Sequence, residues 1–333
     1  MAHDTLIEEY GNKTWVDLNR PEMVRHLLAQ VPDPRFLIGA YDGSRLVGFI
    51  ANLPRRYRCQ GKVYRAVTST MLAVRRDYRG AAPYLIAESL HRNEAYGADF
   101  ALLLLERGNR SSRMFNQLLK PRYPIKRLTS MYALVRGVDL HSIVEHEDLG
   151  RHQVGAIKLL GAHRPIVSPA VGGNVRGYAE ADLTRILELM RGYRDQARLV
   201  RVFDRQSLAR QLDTEKVTST VIYERGSVVR GFINFTIHEV VSANGRYRWA
   251  WPDFAYWEGL SDGEKRALLS GLWQASRDRG CSGIMAWSKT LGATGALYRS
   301  RFIPYPRCVD VHAWILNPSV SLPEIDGIVE RVI

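Results

Sequence analysis

The sequence predicts a mixed α/β fold of the α+β kind, built from two tandem domains, each a central mixed sheet flanked by helices. Three observations carry this expectation: a strand-turn-strand pattern that occurs twice, a single offset relating the two occurrences, and a helical stretch between strands in each. Phe36 to Ile50 is rich in β-branched and aromatic residues on either side of Asp42-Gly43-Ser44, and Thr220 to Ile233 repeats the pattern around Arg225-Gly226. Gly231 lies 183 residues after Gly48. The same offset carries Met71-Leu72-Ala73-Val74 onto Phe254-Ala255-Tyr256-Trp257, Gly97 onto Gly280, Phe115 onto Tyr298 and Pro121 onto Pro304. Chance does not hold register through two strands, a helix and a turn, so residues 36–135 and 219–316 read as two copies of one unit.

Within each copy the expected order is a hairpin, a central strand, a long helix, another strand, and a second helix closing on a final strand. In the first copy the central strand is Val67 to Val74. It runs into Arg75-Arg76-Asp77-Tyr78-Arg79-Gly80-Ala81-Ala82, and Pro83 suits the first turn of the following helix. Trp249, Trp251, Tyr256 and Trp257 form an aromatic strand in the second copy, with alternate residues expected in the core and along a cleft. His163 to Asn174, with two prolines and two glycines, reads as the connection. The expected division is therefore 1–162, a linker at 163–174, and 175–333.

At 333 residues and 46% apolar, the chain can bury a core in each of two domains. Met1 to Thr14 has no apolar run and no stretch nears the ~20 apolar residues of a membrane span. Cys59, Cys281 and Cys308 make no CxxC pair, which argues against a disulfide framework or zinc site and for a reducing cytoplasm. His141, His146 and His152 lack the spacing of a helical metal site, so no metal is expected. A net charge of +13 calls for an acidic partner, and without a nucleic-acid-binding motif it points to a polyanionic cofactor or an acidic carrier protein rather than nucleic acid.

The turn after Val74 is where such a partner belongs. Free N–H groups at a helix start, the helix dipole and small side chains together accept a pyrophosphate, and Arg75, Arg76 and Arg79 add countercharge. The segment resembles the donor turn of the GNAT acyltransferase superfamily. Gly80 and Ala82 match that family's pattern, while Asp77 stands where it has Arg or Gln. Asn109 with the helix through Phe115, and Leu297 to Phe302, resemble its later elements. The tandem arrangement, Leu46 to Pro54, the strand ending Met71-Leu72-Ala73-Val74 and Ala82 to Ile86 are similar to N-myristoyltransferases, though the turn after Val74 is shorter.

The resemblance implies an N-acyltransferase that takes a long-chain acyl group from an acyl-CoA or acyl-carrier-protein thioester to an amine of a peptide or amino-acid-derived acceptor. It implies donor contacts from Val74, Arg75, Arg76, Arg79, Gly80, Ala81, Ala82 and Asn109. It further implies an oxyanion site at the N–H groups of Met71 and Leu72, with Thr70 facing the reacting centre. The second copy's Glu258 to Glu264 is acidic, so only the first copy should hold the donor. Phe115 lacks the Tyr hydroxyl many members use, and Tyr298 is expected to be a buried structural residue. The resemblance points to the terminal carboxylate of Ile333 as base, with Asp253 and Glu258 as competitors. The rival readings are a peptidoglycan-type transferase using aminoacyl-tRNA and a non-catalytic binding module.

Overall fold

The computed structural model describes residues 15–18, 20–108, 112–113, 115–147, 149–194, 198–292 and 294–330. In chain order the elements are β1 (Trp15–Val16), α1 (Pro21–Leu28), β2 (Leu37–Asp42), β3 (Arg45–Cys59), β4 (Lys62–Val74), α2 (Ala81–Ala95), β5 (Phe100–Glu106) and β6 (Ile125–Gly137). Next come α3 (Leu140–His146), α4 (Arg151–Leu160), β7 (Asn174–Gly177), α5 (Leu183–Arg191), β8 (Arg198–Arg201) and α6 (Arg205–Leu212). The second copy follows as β9 (Thr218–Arg225), β10 (Val228–Ser242), β11 (Gly245–Tyr256), α7 (Asp262–Asp278), β12 (Gly283–Trp287), α8 (Thr294–Arg299) and β13 (Ile303–Ile315), and β14 (Gly327–Val329) ends the described chain.

The expected mixed α/β architecture is present, with both copies joined in one sheet of 14 strands. Its main path runs β14-β8-β3-β4-β5-β13-β6-β12-β11-β10-β9-β7. The offset of 183 maps both ends of β3 onto those of β10. Gly48 and its counterpart Gly231 serve the same packing purpose, since a Cβ would sit 2.8 Å from Leu85 in one case and 2.7 Å from Leu260 in the other.

Register breaks at the end of each copy. β6 and β13 both have 13 residues, but Ile303 follows Ile125 by 178 positions, five fewer than the offset upstream. The second copy's loop is shorter there, so the expected match of Pro121 with Pro304 fails: Pro304 is the second residue of β13, and its counterpart in β6 is Lys126. Those strands also change places: β13 pairs antiparallel with β5 of the first copy, and β6 with β12 of the second. At the centre of the exchange Met131 pairs with Val309, its own counterpart at 178.

Period-two alternation divides the sheet's two faces. On one face lie α2 and α7, where Leu268, Leu269 and Leu272 of α7 meet Ile233, Phe235 and Ala250. Each fully buried side chain of this size contributes about 1.5–3 kcal/mol. On the other face Tyr57, Phe100 and Leu102 of the first copy join Trp249, Trp251 and Trp287 of the second in one cluster. Leu322, Ile325 and Ile328 of the C-terminal segment cover it. Trp249, Trp251 and Trp257 are all buried, so the aromatic strand lends none of its tryptophans to an open cleft. Among the described residues no helix is long and apolar enough to cross a membrane.

Candidate active site

The first copy's sheet opens beside its central strand. β4 and β5 pair in parallel only from Ala66–Phe100 to Thr68–Leu102 and then part. A cleft of about 110 Å³ occupies the gap under α2, bordered by Thr70, Leu72, Ile86, Leu105, Phe115 and Trp314. Its lining is nearly all carbon because alternate residues of β5 face it, and Trp314 arrives on the exchanged strand β13. In β3–β4 pairing Phe49 meets Ala73 and Ala51 meets Thr70, so Met71 and Leu72 bulge opposite the single residue Ile50. Met71 has φ +57°. An unbranched non-glycine residue held there costs on the order of 1 kcal/mol, a strain that clusters at functional sites. Neither strand register pairs Met71 or Leu72, which places both residues of the bulge beside the cleft.

The sequence-predicted donor turn lies at the same end of β4. Arg76 to Tyr78 form one 3-10 turn, and α2 begins at Ala81 with no side chain bonded to its first N–H groups. A Cβ on Gly80 would meet nothing within 4 Å. The backbone there is open to a ligand, and Gly80, at φ −59°, is not required for conformation. Arg76 and Arg79 are exposed and Arg75 is half-buried, and none of the three joins an ion pair among the described residues. Tyr78 fixes the turn by donating to Asp42 at 2.6 Å. Val74 packs beside Ile38, Ile50 and Leu85, so only its backbone is available to a donor. Asn109 falls outside the described residues.

The matching turn of the second copy is closed. Ser261 caps α7 by accepting from Glu264 N, while the Glu264 carboxylate accepts from Ser261 N at 2.8 Å. Glu264 also receives Tyr223 Oη and Arg225 Nη1, each at 2.9 Å. The Ser261 backbone bond, aided by these partners, holds its carboxyl below the usual range against the opposing effect of burial. Arg79 has Asp262 as its counterpart, paired instead with Arg299 at 2.6 Å.

The proposed carboxylates sit in this second half. Asp253 is buried and accepts from Thr236 Oγ1 at 2.6 Å and Gln211 Nε2 at 2.9 Å. Glu258 lies 3.5 Å from Arg198 and 3.7 Å from Arg194. Neither borders the donor cleft. Tyr298, expected to be buried, is 43% exposed, with its hydroxyl 3.1 Å from that of Tyr132. The short α8 sits at the rim and presents that ring outward. Phe115 is buried, as a cleft wall packed on His312 at 5.2 Å between ring centroids.

Two features escaped the sequence. His312 on β13 is buried behind Phe115, and burial, reinforced by Lys120 and opposed by Asp310, lowers its pKa to about 4. Beneath β3 and β4, Tyr57 donates to Glu330 at 2.7 Å and contacts Thr68 at 3.0 Å, while Arg201 reaches Glu330 at 3.1 Å. Burial first and then Glu330 raise the Tyr57 hydroxyl well above its ordinary pKa. β14 pairs in parallel with β8, so the C-terminal segment is stitched to the sheet beside the first copy. Ile333 itself lies outside the described residues. No local spacing signals a contact between residues 273 positions apart.

No family model matches the sequence, and no curated protein matches it. Solved structures do. N-myristoyltransferase of Saccharomyces cerevisiae with bound myristoyl-CoA superposes with a TM-score of 0.76 at 14% identity, covering 93% of this chain and 73% of that one. This chain has the N-myristoyltransferase fold. A second structure of the yeast enzyme, with myristoyl-CoA and inhibitors, gives 0.76 at 14% identity, with coverage of 94% and 75%. A GCN5-related N-acetyltransferase from Anabaena variabilis gives 0.53 at 11% identity, with coverage of 94% and 67%. The likeness to N-myristoyltransferase spans both copies. Among the described residues no group of three His, Cys, Asp or Glu side chains forms a metal-binding cluster.

Proposed function

We propose that this protein is an N-acyltransferase that moves a long acyl chain from a phosphopantetheine thioester, carried by CoA or an acidic carrier protein, to the amine of a peptide or amino-acid-derived acceptor. The observation that carries the reading is the continuity of three parts along one strand: the uncapped basic turn at Arg75 to Ala82, the bulge at Met71, and the apolar cleft between β4 and β5. Their order matches the order of a thioester donor's parts, from phosphate through carbonyl to acyl tail.

In this mechanism the turn binds pyrophosphate through backbone N–H groups and Arg75, Arg76 and Arg79. The thioester carbonyl oxygen points at the N–H groups of Met71 and Leu72, beside Thr70, and negative charge developing on that oxygen is stabilised by donors already in place. The acceptor amine forms the C–N bond, the C–S bond breaks, and the amine proton passes to a base and then to the departing thiolate. The terminal carboxylate of Ile333 is the proposed base. Glu330 supports this, because it is pinned to Tyr57 beside Thr68, two residues before Thr70. Three residues span up to about 10 Å. Asp253 and Glu258 already serve other partners in the second half. The lack of a CxxC pair among the three cysteines suits a reducing cytoplasm.

The test is calorimetric titration with CoA, followed by incubation with palmitoyl-CoA and a panel of amino acids and short peptides, read by mass spectrometry. The expected result is CoA binding with amide formation on at least one amine. Absence of CoA binding together with absence of transfer from acyl-carrier donor would overturn the reading.

A further inference from the structure

Behind the nearly all-carbon lining of the donor cleft stands a polar wall that its packing does not require. Ser69 and Ser89 line the cleft, and both hydroxyls donate to Asn52 Oδ1, at 2.8 and 2.9 Å. Asn52 is fully buried, and its Nδ2 has no partner among the described residues. Whichever way that amide is turned, one of its two polar atoms is left over. One helical turn beyond Ser89, Asn93 is also fully buried, with neither its oxygen nor its nitrogen bonded. A buried amide without partners is unfavourable, and such groups are rare in a folded interior.

The second copy shows what the fold itself asks for at these positions. Asn52 faces Ser69 across β3 and β4, as Phe235 faces Pro252 across β10 and β11. The counterpart of Ser89 is Leu272, and Phe235, Pro252 and Leu272 are all buried. Asn93 corresponds to Ser276, whose hydroxyl is satisfied by Leu272 O at 2.7 Å. The same backbone therefore closes with apolar side chains where no ligand enters. In the copy with the cleft, three of the four positions change to hydroxyl or amide, and polar atoms are left over.

We propose that Ser69 and Ser89 at the cleft surface, with Asn52 and Asn93 buried behind them, select an acyl chain that bears a hydroxyl group, which donates to and accepts from this wall while the rest of the chain lies against Leu103, Leu105 and Trp314. The inference rests on the donor reading above. Helix α2 leads from the anion turn toward the wall, and at 1.5 Å per residue Ser89 lies about 14 Å and Asn93 about 20 Å beyond Gly80. The wall thus stands on the acyl side of the bulge. A hydroxyl can satisfy an amide nitrogen and an amide oxygen at once, whereas a methylene leaves both unpaired.

The experiment is calorimetric binding to the full chain of free CoA, palmitoyl-CoA and a series of hydroxypalmitoyl-CoA positional isomers, repeated with Ser89→Ala and Asn52→Leu. At least one hydroxylated isomer is expected to bind ten-fold or more tightly than palmitoyl-CoA. In Ser89→Ala that preference should fall to about three-fold or less, and Asn52→Leu should remove or reverse it, with free CoA affinity and melting temperature kept. Ser89→Ala is the variant to rely on if Asn52→Leu does not fold. Palmitoyl-CoA binding as tightly as every hydroxylated isomer would overturn the proposal, because the wall then holds only water. An equal loss of free CoA affinity in Ser89→Ala would also overturn it, by assigning the wall to the pantetheine arm. If free CoA does not bind the unaltered protein, the donor reading itself fails.

Discussion

Two helices in matching positions, α2 and α7, begin in opposite ways. The first N–H groups of α7 are occupied by Ser261, whose partner Glu264 closes a reciprocal box and ties the turn to Tyr223 and Arg225. Those of α2 have no capping side chain, and around them stand three arginines with no ion-pair partner among the described residues. A cap of the α7 kind is worth about 1 kcal/mol. On the proposed donor reading, its omission in one copy and presence in the other separates a helix start left open for an anion from one used for stability. The cleft repeats the lesson: polar atoms without partners in the first copy correspond to apolar packing in the second.

The largest expected effect concerns the base. Adding residues after Ile333, or deleting Val332 and Ile333, should lower kcat about 100-fold or more, the range of general-base loss. CoA affinity should remain, since the anion turn is untouched. Asp253→Asn and Glu258→Gln are the comparison, because both lie in the second half away from the donor cleft. Normal turnover by a C-terminally extended protein, with either variant folded but inactive, would move the role to that side chain.

Next comes the turn itself. Arg79→Ala should weaken CoA binding by about 1–3 kcal/mol, as for a charge-assisted contact, and Gly80→Val should block close phosphate approach. Asp262→Ala, at the position matching Arg79, should leave CoA affinity unchanged. Calorimetry that shows equal effects at both positions would break the division of labour between the copies.

The cap supplies the reciprocal measurement. Ser261→Ala should cost about 1 kcal/mol in denaturant unfolding while CoA affinity stays the same. A loss of affinity without a loss of stability would place the donor on the wrong copy.

The smallest effect is one of pH. Across the pseudo-twofold at offset 178, His312 corresponds to the buried Leu134. Its folded pKa, about 4, lies below the ordinary 6.5, so the unfolded chain binds more protons between these values. Stability contributed by the neutral ring is complete above about pH 6.5 and is lost as pH falls toward 4. Melting temperatures at pH 7 and pH 4.5 should therefore differ less in His312→Leu than in the unaltered protein. An unchanged difference would remove His312 as the cause.

Local patterns made much of this legible. The strand-turn-strand pattern of Phe36 to Ile50 and its repeat at Thr220 to Ile233 located the matched hairpins, and the small residues Gly80 to Ala82 after a strand marked the open helix start. Long-range partnership was not legible. The exchange of β6 and β13 depends on which strand edge is free in three dimensions, and the five-residue shortening before β13 leaves no trace in the hairpin register. The Tyr57–Glu330 bond joins residues 273 apart, and nothing beside either one announces the other. Residue type alone assigns Tyr298 to the interior, whereas its place near the end of the short helix α8 decides its exposure.

The exchange of closing strands also governs when the site comes into being. Trp314, which walls the donor cleft, lies on a strand whose partner β5 was synthesised some two hundred residues earlier. A nascent chain that has emerged only through β6 presents β5 with an unpaired edge, and loop-closure entropy keeps that edge waiting for a distant partner. The first copy cannot complete its sheet before the second is made, because β13 completes the first while β6 completes the second. Severed at the connection, neither fragment carries its own last strand, so activity should return only when both are present and reassociate. The gene's two repeats thus behave in folding as one indivisible unit.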